Sequence, residues 1–268
     1  MSDIEISTTG PVAHIRLNRP ETLNALRRQT FEALTDAVAT LGADSSVRAL
    51  VLTGSGRAFC SGADLSDPMM GSHLPLEQQP AACAHVLDTL MNRTIRAIRN
   101  APFPTVAAVN GIAAGGGAGL ALACDIVIAA RSARFVQTFT PKLALVPDLG
   151  STWHLARHLG RARALGFVLT GEPIDGEKAV SLGLIWKCVA DEDLAVEADR
   201  LAQQLASGPN PSQVKARQLL DAAFVNDFDE QLDAERDAQA SLVASDDVHE
   251  AMRAFKEKRP AHFSDRRL

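Results

Sequence analysis

From Val12 to Leu17 the side chains alternate, Val12, His14 and Arg16 on one face and Ala13, Ile15 and Leu17 on the other, until Asn18-Arg19-Pro20 closes the run. Alternation of period two bounded by a turn predicts a strand, and residues 28 to 41 then predict a helix. Residues 47 to 53 are apolar and partly β-branched and stop at Gly54-Ser55-Gly56, so a second strand runs into a glycine-rich loop that continues from Arg57 to Leu65. Residues 66 to 80 hold Pro68, Pro75, Pro80, two methionines and Gly71 without periodicity, which predicts a long mobile loop able to cover a pocket. A helix over 81 to 99 leads to a strand over 104 to 109 with almost no polar side chain, the mark of burial on both faces. Asn110-Gly111 ends it, the glycines 115 to 117 and 119 open a helical stretch reaching 124, and residues 125 to 129 predict another apolar strand.

After Arg161 the character changes. Helices are predicted over 163 to 170, 176 to 182, 194 to 206, 211 to 224, 228 to 243 and 248 to 256, with no strand pattern beyond Val189. Strands alternating with helices, then helices alone, predict an α/β core with an α-helical C-terminal segment, divided as residues 1 to 200 and 201 to 268.

Composition narrows the function. A chain of 268 residues that is 46% hydrophobic and 22% charged buries a large core and is no disordered segment. The formal charge of -5, with no basic stripe interleaved with aromatics, argues against a nucleic-acid partner. Residues 1 to 16 lack a basic and an apolar signal region, and no apolar run approaches the roughly 20 residues that span a bilayer. Cys60, Cys83, Cys124 and Cys188 lack CxxC spacing and read as small buried residues of a cytoplasmic protein without membrane attachment.

Two glycine-rich stretches each follow a buried strand and leave main-chain amides unshielded. If the amides of Ala63 and Gly116 face one point they form an oxyanion hole, with the helix opened at Gly116 adding its positive end. Read plainly, the same glycines only make tight turns. GxGxxG followed by an acidic strand end, GxxxxGK[ST] and GxSxG are all absent, which removes dinucleotide, P-loop and serine-hydrolase readings. Asp148, between Pro147 and the Gly-Ser-Thr start of a helix, is either the cap of that helix or a catalytic carboxylate. His154 and His158 have i, i+4 spacing but no third ligand, so no metal is expected.

Taken in order, Leu17-Asn18-Arg19-Pro20, Leu23-Asn24-Ala25-Leu26, Arg57-Ala58-Phe59-Cys60-Ser61-Gly62-Ala63-Asp64-Leu65 and the stretch 104 to 125 with its triple glycine resemble the crotonase, or enoyl-CoA hydratase/isomerase, superfamily over residues 5 to 263. The resemblance implies a spiral of repeated ββα units and a helical tail that assembles trimers, in many members paired into hexamers. It implies an acyl-CoA substrate, with coenzyme A entering as part of that substrate and no separate cofactor. It places the thioester oxygen on the amides of Ala63 and Gly116. Coenzyme A would run along Ala25, Leu26, Ser61, Gly62, Asp64, Leu65 and Gly115, with Arg27 and Lys258 toward its phosphates.

Hydratases of the family use two glutamates, and those places here hold Gly119 and Thr140. Neither is an acid or base near neutral pH, so the resemblance points away from hydration and toward an isomerase using Asp148, the position of the acid in several family isomerases. Stretches 125 to 136, 146 to 153, 183 to 186 and Glu235-Arg236-Asp237 resemble members that convert a ring epoxide of phenylacetate degradation to an oxepin. A hydratase, an aryl-CoA dehalogenase and a non-catalytic acyl-CoA-binding homologue are the alternatives. The dehalogenase lacks a well-placed histidine on the helix before Pro104, where only His85 occurs.

Overall fold

The computed structural model of the chain describes residues 2–263 and Arg266. Among them ten strands form two sheets. The larger has the order β1 (Ile4–Thr9), β2 (Val12–Leu17), β3 (Ala49–Gly54), β5 (Thr105–Val109), β7 (Ile126–Ala130), β10 (Lys187–Val189). The smaller has the order β4 (Ala58–Cys60), β6 (Ile112–Ala114), β8 (Arg134–Val136), β9 (Ile174–Asp175). Only the β1/β2 hairpin and the β8/β9 pair run antiparallel.

The spiral follows from the order of the chain. Each of β3, β5 and β7 in the large sheet is followed within a few residues by β4, β6 and β8 in the small one, so three successive turns stack in parallel register. β5 is buried along its whole length. The reason lies on its two sides: α7 (Leu194–Ala206) packs on β2, β3, β5 and β7, while α4 (Gly116–Leu122) touches β4, β5, β6 and β7 and is itself buried throughout. The first turn of α4, Gly-Gly-Ala-Gly, carries almost no side chain, which lets neighbouring backbone approach it closely. At Gly117 an added Cβ would lie 2.2 Å from Cys60 O.

Outside the sheets, α1 (Arg28–Ala43) packs on α3 (Asn92–Arg99), which continues through a π-turn from α2 (Gln79–Val86). α5 (Ser151–Thr170) bends at Gly160, and α6 (Gly176–Ser181) precedes β10. The tail comprises α8 (Asn210–Ala222), α9 (Phe228–Leu242) and α10 (Asp246–Glu257). No helix among the described residues is long and apolar enough to cross a membrane.

Several expectations change. Residue 200 lies inside α7, whose contacts with the sheet carry the packed core through Ala206, so a division there cuts a core helix. Segment 66 to 80 is not a structureless loop: Asp67 caps a 3-10 turn by accepting the Met69 amide at 2.8 Å, and the Met69 side chain is buried. Cys60 and Cys124 are buried as expected, whereas Cys83 and Cys188 are half-buried. Residues 4 to 9, for which no strand was predicted, form β1, an edge strand with one buried position.

Candidate active site

The parallel strands β4, β6 and β8 lie side by side, and the chain leaving each reaches one element of the site: Ser61-Gly62-Ala63, Gly115-Gly116, and Pro147-Asp148-Leu149. The first is set by the motif at 18 to 26. Asn24, with φ +57 and 1% exposed, donates from Nδ2 to Ser55 O at 2.9 Å and Ala58 O at 2.8 Å, while its Oδ1 accepts the Arg19 amide at 2.9 Å. Leu26 then pairs with the loop, its amide donating to Gly62 O at 2.8 Å and its carbonyl accepting the Asp64 amide at 2.8 Å. Successive amides of an extended chain face opposite ways, so the Ala63 N–H between these two bonds points away from Leu26. Gly62, at φ +96, turns the loop onto the start of α4, where a Cβ built on it would lie 2.8 Å from Ala114 O and 3.3 Å from Gly116 N. Among the described residues neither the Ala63 nor the Gly116 amide meets a backbone acceptor. Gly116 begins its helix, so its N–H is one of the unpaired donors that carry the helix's positive end.

Asp148 does not cap α5. Its carbonyl, not its carboxylate, accepts the Ser151 amide, at 2.9 Å, and Gly150 is the N-cap without a side-chain bond. The carboxylate instead faces α4: Oδ1 lies 3.8 Å from where a Cβ on Gly116 would stand, is shielded from solvent and has no hydrogen-bond partner. Burial pushes its pKa up to about 6, opposed only by its own backbone amide. A carboxyl group in that state exchanges a proton readily near neutral pH.

The two places where hydratases carry glutamates are closed or diverted. A Cβ on Gly119 would lie 2.8 Å from Ser151 Oγ, 2.9 Å from Leu149 Cβ and 3.0 Å from Leu149 O. Thr140 donates its hydroxyl to Leu145 O at 3.1 Å. Neither position carries an acid, and the carboxyl group beside the start of α4 is that of Asp148.

The residues expected along coenzyme A divide into scaffold and surface. Ala25 and Leu26 are buried, Leu26 contributing its backbone to the Gly62–Asp64 pairing. Ser61 donates its hydroxyl to Thr22 O at 3.1 Å, and Asp64 pairs with Arg19 at 2.9 Å; the hydrogen bond from Ser66, then that from Arg19, holds its carboxyl below the usual range. Arg27 is forked onto Asp3, Nε at 2.8 Å and Nη2 at 2.6 Å, so a phosphate would have to share it. Gly115 (φ +52) starts the turn into α4, and Leu65 is 71% exposed. Lys258 is exposed at the end of α10, remote in sequence from the other members, with the following Arg259 held at 2.6 Å by Glu250.

His154 and His158 sit elsewhere. With Trp153, Arg99, Arg157 and residues of α8 they line a cavity of about 570 Å³ at the C-terminal end of α4 and along the first turns of α5. Burial drives the His154 pKa down to about 3, leaving a neutral ring edge-on to Trp153. The residue that sequence reasoning missed at the site itself is Leu149, because its positive φ of 50 leaves no mark in an apolar letter between Asp and Gly.

With that geometry in place, the Enoyl-CoA hydratase/isomerase family pattern matches residues 7–266. The 1,2-epoxyphenylacetyl-CoA isomerase of Escherichia coli is 42% identical over 94% of this chain and 95% of its own length. A Rhodobacter capsulatus protein named "Probable enoyl-CoA hydratase" is 44% identical over 95% of each chain. The crystal structure of an enoyl-CoA hydratase from Polaromonas sp. JS666 superposes with a TM-score of 0.89 at 32% identity, covering 97% of this chain and 99% of that one. Matched in sequence and fold over nearly its whole length, the chain belongs to the enoyl-CoA hydratase/isomerase family and is an enzyme of the crotonase fold.

Proposed function

We propose that this enzyme isomerises a coenzyme A thioester, with the amides of Ala63 and Gly116 holding the thioester oxygen and Asp148 moving the proton. The observation that carries the reading is the Asp148 carboxyl group beside the first turn of α4, its Oδ1 shielded from solvent and without a hydrogen-bond partner, with no room for a longer side chain at Gly119. Ionised Asp148 takes the proton from the carbon next to the thioester carbonyl. The electron pair of that C–H bond moves onto the carbonyl oxygen, where two fixed N–H dipoles stabilise the enolate. Neutral Asp148 then returns the proton at the far carbon of the shifted π system, and no water is consumed. A double-bond shift and a ring-epoxide isomerisation both fit, and the name of the Escherichia coli relative favours an aromatic-derived acyl group. Coenzyme A enters and leaves as part of the substrate, so no separate cofactor takes part in these steps.

The hydratase reading draws on relatives bearing that name, but the packing over Gly119 opposes it. Assembly through the tail into trimers, or pairs of trimers, is supported by large apolar side chains left exposed on it: Leu220, Phe224, Phe228 and Phe255 are each more than half exposed. A cytoplasmic location fits the four unpaired cysteines.

The test is to incubate the protein with a 3-enoyl-CoA and with the ring-epoxide thioester and follow conjugated-thioester absorbance and product. Asp148→Asn should keep its fold and acyl-CoA binding and lose at least ~100-fold in kcat. Because the base form is the one that starts the reaction, kcat/KM should rise as pH passes through about 6. Full activity in the folded Asn variant, or a wild-type spectrum that never changes, would reject the proposal, the second outcome favouring a non-catalytic binder.

A further inference from the structure

Between the candidate base and the oxyanion helix lies one apolar side chain. Leu149 is 1% exposed and holds φ +50, a left-handed conformation that a γ-branched residue enters only under constraint. Gly150 follows at φ +76, so two successive left-handed residues swing the chain from Pro147 into α5. The swing lays the isobutyl group along one face of α4. A Cβ on Gly116 would lie 3.0 Å from Leu149 Cδ1, and a Cβ on Gly119, three residues on, would lie 2.9 Å from Leu149 Cβ. Glycine at 149 would take that backbone at no strain, so the leucine is kept for what its side chain fills.

We propose that Leu149 is a positioning and specificity-determining residue: it seals the space between Asp148 and the Gly116–Gly119 face against water, so that the carboxyl group handles the substrate's own proton instead of activating a solvent molecule. A water needs room for about one probe sphere and two or more polar partners. The partners are present, since Asp148 Oδ1 and Ser151 Oγ are both buried and unpaired, and the leucine side chain occupies the room. Gly116 of α4 stands against the carboxyl and Leu149 follows it in the chain, and neither titrates. No neighbouring cation or carboxylate contributes to the raised pKa of Asp148, whose cause is burial. The seal therefore governs both solvent access and the proton affinity of the base.

This inference rests on Asp148 being the acid-base group, and its test separates the two. The carboxyl carbon of Asp148, identified by its loss in Asp148→Asn, is titrated by 13C NMR in the wild type and in Leu149→Ala, Leu149→Asn and Leu149→Met. Asn suits φ above zero and keeps the length of the side chain, so it reports even if the Ala variant does not fold. The wild type and the Met variant should titrate near the same pH, and the Ala and Asn variants at least one pH unit lower. The acid limb of kcat/KM should move with the titration, and the Ala variant should release a 3-hydroxyacyl-CoA fraction at least 10-fold above wild type from a 2-enoyl-CoA. Folded Ala and Asn variants titrating at the wild-type midpoint would overturn the inference while leaving the isomerase intact. A wild type without isomerase activity but with the shifted titration would instead sink the functional reading and keep the seal.

Discussion

At the scale of the residue, Asp148 is a group whose folded surroundings work against its charge. Its pKa of about 6 in the folded chain exceeds its ordinary value of 3.8, so the folded state holds this proton more tightly than the unfolded state. The resulting stabilisation is complete below about pH 4 and is lost as pH rises through about 6, where the buried carboxylate must form. Asp148→Asn, which never ionises, should therefore gain on the wild type by ~1–3 kcal/mol between pH 4 and pH 7.5. Urea denaturation of both proteins at the two pH values measures this as a difference of differences, independent of how well the amide itself fits. A gap unchanged between the two pH values would mean that the carboxylate is solvated and the desolvated-base account wrong. The letters of the sequence allowed both a cap and a catalyst at this position. Capping depends on whether the carboxylate or the carbonyl meets the Ser151 amide, a choice of 2.9 Å geometry that residue identity does not encode.

At the scale of the element, α4 is a helix defined by what it lacks. Its glycines let Cys60 O, Leu149 and Ser151 approach the backbone from two sides, and the amide at its start stays free because it has no preceding turn. Gly119→Ala tests how tightly the second of those sides is closed. The added methyl meets Ser151 Oγ and the Leu149 backbone near 3 Å, contacts that only a shift of α5 can relieve. Better helix propensity would favour alanine by up to ~1 kcal/mol, whereas overpacking costs ~1–3 kcal/mol, so the substitution should destabilise. Thermal unfolding checks the sign, and a variant more stable than wild type would show that a side chain, and hence a catalytic glutamate, has room there after all. Strands β2, β3, β5 and β7 of the large sheet and the helices after 161 were legible because burial imposes apolar runs, alternation and helical spacing. The short strands β4, β6 and β8 were not, because three residues inside a glycine-rich or polar context carry no period. Their parallel alignment is nevertheless what sets the Gly62–Ala63 loop, Gly116 and Asp148 near one another, a support that residue identity does not encode.

At the scale of the molecule, the question is how the tail is fastened to the spiral, since the boundary drawn at 200 passes through a helix that belongs to the core. The join is polar and buried. Arg48, 5% exposed just before β3, donates from Nε to Ala206 O at 2.6 Å and from Nη2 to Gly208 O at 2.6 Å, and its own carbonyl accepts Asn210 Nδ2 at 3.0 Å. One guanidinium thus satisfies carbonyls released where α7 ends, and Asn210 at the start of α8 returns a bond to the same residue. Further out, Arg217 of α8 reaches Asp125 at 3.1 Å and Ala101 O, tying the tail to the edges of β5 and β7. None of this was readable from composition, because a lone arginine before a strand looks like any solvated charge. Arg48→Met keeps much of the length and removes the donors, leaving the buried Ala206 carbonyl and the half-buried Gly208 carbonyl short of a charged partner. Such bonds contribute ~1.5–3 kcal/mol each when intact, so the variant should lose ~2–4 kcal/mol and be cut by protease sooner between Ala206 and Asn210. Urea midpoints and timed digestion read the two effects. If the midpoint falls while that junction stays protected, Arg48 stabilises the sheet alone; if both move together, core and tail unfold as one unit and the arginine is what couples them.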